Sequence, residues 1–198
     1  MNTKNLLTAA AATALIAGST QATVVVDGWT VLDNAMAPDA SGTFSTVGTF
    51  TQIATEPDDW DNNFLYANPG VDDAQATWTF NNLTNGTYEV AVSYTRHPNR
   101  ASAAPYTIVG DTTYLVNQET VIASPVLLND GSNDIPFEVL TTTATVASNQ
   151  LVVQLDEVAN SGSDYIIADA VAIRLVPEPG SLALLGLGGL LIGRRRRG

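Results

Sequence analysis

The chain has 198 residues, with 20 acidic and 8 basic side chains, one histidine and no cysteine, for a net charge of −12. That balance excludes binding to nucleic acid or to an anionic membrane surface, because both are polyanions. The missing cysteines exclude a disulfide-stapled fold and a thiol nucleophile.

Met1–Ala22 reads as a secretory signal peptide: Lys4, an apolar run from Leu6 to Gly18, then small residues at Thr20 and Ala22, with cleavage expected after Ala22. The division expected is a signal over 1–22, one domain over 23–175 and a distinct tail over 176–198. A body of about 155 residues is long enough to bury a sizeable core. Trimming both ends leaves Arg96, Arg100 and Arg174 as its only basic residues against nineteen acids, a net charge of −16.

The body is predicted to be all-β, a jelly-roll-like β-sandwich. Ala74, Ala76, Trp78 and Phe80 alternate with polar residues. Tyr88, Val90, Val92 and Tyr94 repeat the pattern, as do Leu151, Val153 and Leu155. Ile166–Leu175 is apolar on both faces, as a central strand can be. Turn-formers punctuate these runs at Asn68-Pro69-Gly70, Asn85-Gly86, Asn129-Asp130-Gly131 and Ser161-Gly162-Ser163. Short strands with frequent turns define a sandwich.

Nucleophilic catalysis needs a base beside a nucleophile. The single histidine, His97, sits in the turn-like "RHPN", and no G-x-S-x-G occurs. With nineteen acids in the body, some carboxylate pair always falls at a glycosidase spacing, so the count carries no information. The body therefore reads as non-catalytic. Flat rings are the usual sugar contacts. Trp78 alternates into the core and Trp29 packs near the start, whereas Trp60 lies in "EPDDWDNN" among acids that resist burial. Trp60, Tyr66 and Phe137 are the ligand-binding candidates. Asp59, Asp61 and Asn63 alternate as in calcium loops, but Phe64 stands where a glycine would turn the chain, and no glutamate closes the loop. No cofactor is required; calcium is the one ion the pattern admits.

Asp169 in "IIADAVAI" shares a strand face with Ile167, Val171 and Ile173, so its carboxylate is directed into an apolar face. A buried charge needs a partner. Arg174 points to the opposite face and Arg96 lies near an edge, which leaves Arg100 as the expected structural partner of Asp169.

The tail, "VPEPGSLALLGLGGLLIGRRRRG", joins Pro177-Glu178-Pro179 to an uncharged run, Ser181–Gly193, and four arginines, Arg194, Arg195, Arg196 and Arg197. As a helix the run reaches about 20 Å, short of the roughly 30 Å of bilayer hydrocarbon. The arginines would stay on the cytoplasmic side. This order of parts resembles a PEP-CTERM sorting signal. The resemblance implies a Gram-negative host making extracellular polysaccharide. It also implies a short transmembrane helix that holds the precursor transiently in the inner membrane, and an exosortase-type protease that cuts near Pro-Glu-Pro.

The body resembles the golvesin and xanthan-lyase type carbohydrate-binding domain. The resemblance rests on Thr77-Trp78-Thr79-Phe80, Gly86-Thr87-Tyr88-Glu89-Val90, "HPNRASAAPYTI" from His97 to Ile108, Val116-Asn117-Gln118 and "YIIADAVAI" from Tyr165 to Ile173. It spans Trp29 to Leu175 and departs in "IPFEVL", where Phe137 stands in a strand that often carries tryptophan. It implies a β-sandwich standing beside polysaccharide-active machinery. The expected function is thus a carbohydrate-binding protein exported to the cell surface or to an extracellular polysaccharide matrix such as a biofilm. The alternative is a structural or adhesive matrix protein with protein partners and no sugar binding.

Overall fold

The computed structural model describes residues 23–54, 58–69, 74–157 and 164–178. The signal peptide expected over 1–22, and Pro179 with the oily run and arginine cluster that follow it, lie outside the described residues. Among the described residues no helix is long and apolar enough to cross a membrane.

A six-stranded sheet has the order β1 (Val24–Val26), β2 (Trp29–Leu32), β14 (Val171–Leu175), β7 (Gly86–Val92), β11 (Asp134–Val146) and β10 (Val126–Asn129). A five-stranded sheet has the order β3 (Gly42–Val47), β6 (Gln75–Phe80), β12 (Leu151–Asp156), β8 (Ala104–Ile108) and β9 (Thr113–Val116). A small third sheet joins β13 (Ile166–Ala168), β5 (Asn63–Ala67) and β4 (Phe50–Ala54). Every pairing between these strands is antiparallel, and an isolated parallel bridge joins Arg100 to Tyr165. The only helical turn among the described residues is a 3-10 turn, Trp60–Asn62.

Alternation places the core where the sequence predicts it. Ala76, Trp78 and Phe80 of β6 and Val153 and Leu155 of β12 face Tyr88, Val90 and Val92 of β7 across the sandwich, all buried. Trp78 is fully buried, tilted against Phe44 at 5.2 Å and Tyr106 at 6.4 Å between ring centroids. Losing a ring of this kind costs about 3–5 kcal/mol. The other face of the six-stranded sheet carries a second cluster of Trp29, Val31, Ala91, Ile135, Phe137 and Ala172. That second cluster is why the closing strand is apolar on both sides: β14 lies between β2 and β7 with Val171 and Ile173 inward and Ala172 outward.

Two hairpins follow local turn chemistry. Asp27 and Gly28 close β1 onto β2 with φ of 49° and 81°, the left-handed pair a two-residue turn requires. At the β10–β11 turn Gly131 has φ 101°, while the Asp130 carboxylate accepts from the N–H groups of Ser132 and Asn133, both at 2.7 Å.

One predicted strand divides. Ile166–Leu175 is not continuous: β13 belongs to the third sheet and β14 to the six-stranded sheet, with Asp169 and Ala170 as the link. The β14–β7 register runs on by one bond, Ser93 N–H to Ala170 C=O at 2.9 Å, before the chain passes to the third sheet.

The backbone leaves the sandwich at Val176, whose N–H donates to Thr87 C=O at 2.8 Å. Pro177 and Glu178 are exposed. A chain shortened to Thr23–Val176 is therefore expected to melt with unchanged cooperativity and a midpoint within a few degrees of the full chain. Aggregation or a broadened calorimetric transition would show that the tail belongs to the core.

Candidate functional site

β2, β7, β9 and β12 end, and β6, β8, β10 and β14 begin, at one end of the sandwich, so the segments 93–103, 117–125 and 164–170 gather there, and the turn 58–62 ahead of β5 joins them through the Trp60 N–H on Asp169. Two buried carboxylates anchor this end. Asp169 is fully buried. Its oxygens accept from Trp60 N–H at 3.2 and 3.3 Å and from the Ser93 hydroxyl at 2.6 Å. Its backbone carbonyl accepts from Trp78 Nε1–H at 3.3 Å. Asp33, just past β2 and also fully buried, accepts from Asn34 N–H at 2.6 Å and Ala35 N–H at 3.2 Å. The Asn34 side-chain amide then donates to Ala168 C=O at 3.0 Å, tying the end of β2 to the residue before Asp169.

Burial pushes Asp33 up to about 7, and neighbouring Asp61 adds to the rise against two backbone donors. Burial likewise raises Asp169 well above the usual carboxylate range, with Asp33 the next cause and Asp59 a lesser one. The charges acting on both carboxyls are negative, so the protonated forms are favoured.

Gln118 organises the neighbouring loops. It is fully buried, and its amide pairs with both backbone groups of Ile167, accepting from N–H at 2.9 Å and donating to C=O at 2.8 Å. Tyr106 sits beside it: Gln118 Nε2 donates to the phenol at 3.2 Å and the phenol donates to Ile167 C=O at 3.2 Å. Gln118 C=O also accepts from His97 N–H at 3.3 Å, and its N–H donates to Ala101 C=O at 2.9 Å. One side chain thus substitutes for a missing strand neighbour of β13.

A groove opens beside this framework. Its larger part, about 430 Å³, has Tyr94 in its floor, Ile122 and Val139 as apolar wall, and Asn117, Ser124 and Glu138 as polar groups. A smaller part of about 140 Å³ shares Tyr94, Thr120, Val121 and Ile122 and reaches Asp58 and Arg96. The Tyr94 hydroxyl donates to Glu138 at 2.6 Å. Burial, then that carboxylate, push the phenol far up, so it stays protonated as a donor. Arg96 Nε lies 3.6 Å from Asp58, in a pair half-open to solvent.

None of the three ring candidates lines either part of the groove. Trp60 is 3% exposed, edge-on to the fully buried Phe137 at 5.7 Å. The left-handed backbone of Asp61 and Asn62, φ 55° and 57°, folds the indole back over the outer face of the six-stranded sheet. Of the acids around it, Asp58 meets Arg96 and Asp61 stays exposed, while Asp59 is buried beside the ring. Tyr66 is half-buried and forms an edge contact with Tyr165 at 5.4 Å, outside the groove. The expected Arg100–Asp169 ion pair is also corrected. Asp169 is satisfied by an N–H and a hydroxyl, while the Arg100 guanidinium lies over Phe64 and Tyr165 at 5.6 and 5.9 Å. The loop is pinned to β13's approach by backbone instead: Ala101 N–H to Tyr165 C=O at 2.9 Å and Tyr165 N–H to Asn99 C=O at 3.0 Å. Among the described residues no group of three or more His, Cys, Asp or Glu side chains is arranged to hold a metal ion, Asp59 and Asp61 included.

Reading side-chain types alone missed Asp33, Ser93 and the part played by Gln118. The only signal for Gln118 was its place in the Val116-Asn117-Gln118 motif. Of the sorting-signal residues, Pro177 and Glu178 are exposed beyond the last strand, and Pro179 and Arg194–Arg197 lie outside the described residues.

These features define a two-sheet antiparallel module whose longest segments converge on one grooved end. The model of the Golvesin C-terminal domain matches residues 30–175, and the chain belongs to that family. The PEP-CTERM protein-sorting motif matches residues 175–197, which marks the chain as an exported protein for handling by an exosortase-type enzyme. Among solved structures, a xanthan lyase from Paenibacillus is 25% identical with a TM-score of 0.54 over 76% of this chain and 13% of the lyase. An exo-beta-1,3-galactanase from Phanerochaete chrysosporium is 10% identical with a TM-score of 0.44, covering 73% of this chain and 32% of its own. A GH26-CBM35 beta-(1,4)-mannanase from Podospora anserina is 9% identical with a TM-score of 0.41, covering 71% and 29%. The chain thus spans a small part of each. A comparison with curated proteins finds no match.

Proposed function

We propose that the body is a non-catalytic glycan-binding module, delivered by its sorting motif to the cell surface or the surrounding polysaccharide. The observation that carries this reading is the groove: apolar surface at Ile122 and Val139, ringed by Asn117, Ser124 and Glu138, suits a sugar's C–H faces and hydroxyls together. The likeness to part of a xanthan lyase supports it, since that protein's name specifies action on a polysaccharide. His97 supports no catalytic role: it is exposed and its Nδ1 pairs with Asn99 Oδ1 at 2.6 Å in its own turn. Exposed Val25, Leu115 and Leu127 lie on the edge strands β1, β9 and β10 and favour the second reading, an adhesive protein that touches other proteins.

Affinity electrophoresis in gels cast with different polysaccharides separates the two. At least one neutral polysaccharide should retard the protein. Ser124→Trp, which fills the groove from an exposed position, should abolish retardation, and Asn117→Ala should weaken binding about five- to tenfold, the loss of one hydrogen bond. Tyr66→Ala should leave it unchanged. Retardation that survives Ser124→Trp removes the groove from the reading, and release of reducing ends would make the protein an enzyme.

A further inference from the structure

Alternation along β11 decides what the groove offers a ligand. Ile135 and Phe137 are buried in the outer cluster, so Pro136 and Glu138 turn to the other face and line the groove. Tyr94, two residues past β7, meets Glu138 there, its hydroxyl donating to Oε2 at 2.6 Å. The phenol is held in its donor form and brings no charge. Glu138 is half-buried, and among the described residues its other oxygen, Oε1, accepts from no protein group.

The charged residues lining the two parts of the groove are Glu138, Asp58 and Arg96. Arg96 is matched by Asp58 at 3.6 Å, so the Glu138 carboxylate is left without a cation. Asn117 supplies the opposite polarity. Its Oδ1 accepts from Glu119 N–H at 2.9 Å, which leaves the amide nitrogen as the group to meet a sugar oxygen. A half-buried carboxylate gains most from a charged donor, because a hydrogen bond with an ionised partner is roughly twice as strong as a neutral one. An acidic sugar meets the reverse: the same carboxylate, on a body at −16, repels it.

We propose that Glu138 determines the specificity of the groove, and that the groove selects glycans bearing free amino groups: a protonated hexosamine places its ammonium on Glu138 while Asn117 holds a neighbouring oxygen. This selectivity rests on the glycan reading of the groove and adds the class of sugar to it. A neutral glycan sets a hydroxyl where the ammonium would lie and binds more weakly. N-acetylation removes the charge and returns the sugar to that neutral class.

Isothermal titration of the purified protein at pH 6 with β-1,4-linked hexamers of glucosamine, N-acetylglucosamine and glucose tests this. The glucosamine hexamer is expected to bind about tenfold more tightly than the other two, the advantage of a charge-assisted bond over a neutral one. Glu138→Gln keeps an oxygen for the Tyr94 hydroxyl but removes the charge, and should bring the three hexamers within about twofold of one another. Asp111→Asn removes an exposed carboxylate from the β8–β9 turn, at the opposite end of the sandwich, and should leave the preference intact. A preference that survives Glu138→Gln, or that Asp111→Asn reduces as much, would assign it to the body's general charge and overturn the proposal. Should Glu138→Gln fail to fold, the carboxyl carbon of Glu138 in the wild type reads the contact by NMR. It should shift with the glucosamine hexamer and much less with the glucose hexamer, and an unmoved signal would overturn the proposal. Equal binding of the glucosamine and glucose hexamers, both abolished by Ser124→Trp, would discard the amino-sugar selectivity and keep the glycan reading. A preference untouched by Ser124→Trp would remove the groove and both readings with it.

Discussion

Gln118→Met is expected to destabilise the sandwich by about 2–5 kcal/mol, more than any surface change. Methionine matches the volume, so the loss isolates hydrogen bonding from packing. In the native chain the Gln118 amide satisfies the N–H and C=O of Ile167, both fully buried. A buried backbone group left without a partner costs about 1–3 kcal/mol, and two are stranded at once. The Tyr106 phenol still donates to Ile167 C=O, which softens one of the two losses. The expected signature goes beyond a lower denaturation midpoint. Hydrogen exchange at Ile167 should accelerate, because its N–H loses the Gln118 amide oxygen that accepts it, while Val153 and Val90 in the sheet centres keep their protection. A midpoint within about 0.5 kcal/mol of wild type would mean water replaces the amide and that the loops do not depend on it.

Periodicity and turn chemistry carried the sheets because they are local. The strict alternation of Ala74 to Phe80 has one buried face in the fold, and Asn129-Asp130-Gly131 is the β10–β11 turn. The site was legible only in part because its residues act across the fold. Asp169 was recognised as a carboxylate on an apolar face, and its burial follows. Its partners did not follow from counting cations, since a hydroxyl and a backbone N–H satisfy an acid as readily as a guanidinium. Nothing local marks Ser93, the residue just past β7, and it lies 76 residues from Asp169 in the chain. Trp60 failed for the opposite reason. Its acidic neighbours argued for exposure, but two left-handed residues after it turn the ring inward, and backbone sign at Asp61 and Asn62 is invisible in composition. Asp33 closes an ordinary strand, and only the return of the chain at Asp169 gives it a second carboxyl to answer to.

Stability should fall as pH rises from about 4 to 7, contrary to the usual behaviour of a protein held by paired carboxylates. Asp33 is raised from 3.8 to about 7 in the folded chain by burial. The folded state therefore holds a proton that the unfolded chain releases. Stability is fully present below the unfolded value and is lost through the folded value, with a slope set by that one proton. Asp169 is raised for the same first cause and adds in the same direction. For Asp33 alone the loss is on the order of 4 kcal/mol, from 1.36 kcal/mol for each unit. The surface pairs of Glu89 with Arg174 and Asp58 with Arg96 weigh little beside it, since exposed pairs are worth roughly 0–1 kcal/mol each. Self-repulsion of a body at −16 also grows with pH and would mimic the trend. Salt separates the two, since it screens exposed charges and leaves a buried pair almost untouched. Urea midpoints at pH 5 and pH 8 should differ in low and high salt alike, with pH 5 the more stable, and Asp33→Asn should remove most of the difference. A difference abolished by salt would assign the trend to the surface, and greater stability at pH 8 would mean that both acids fold ionised.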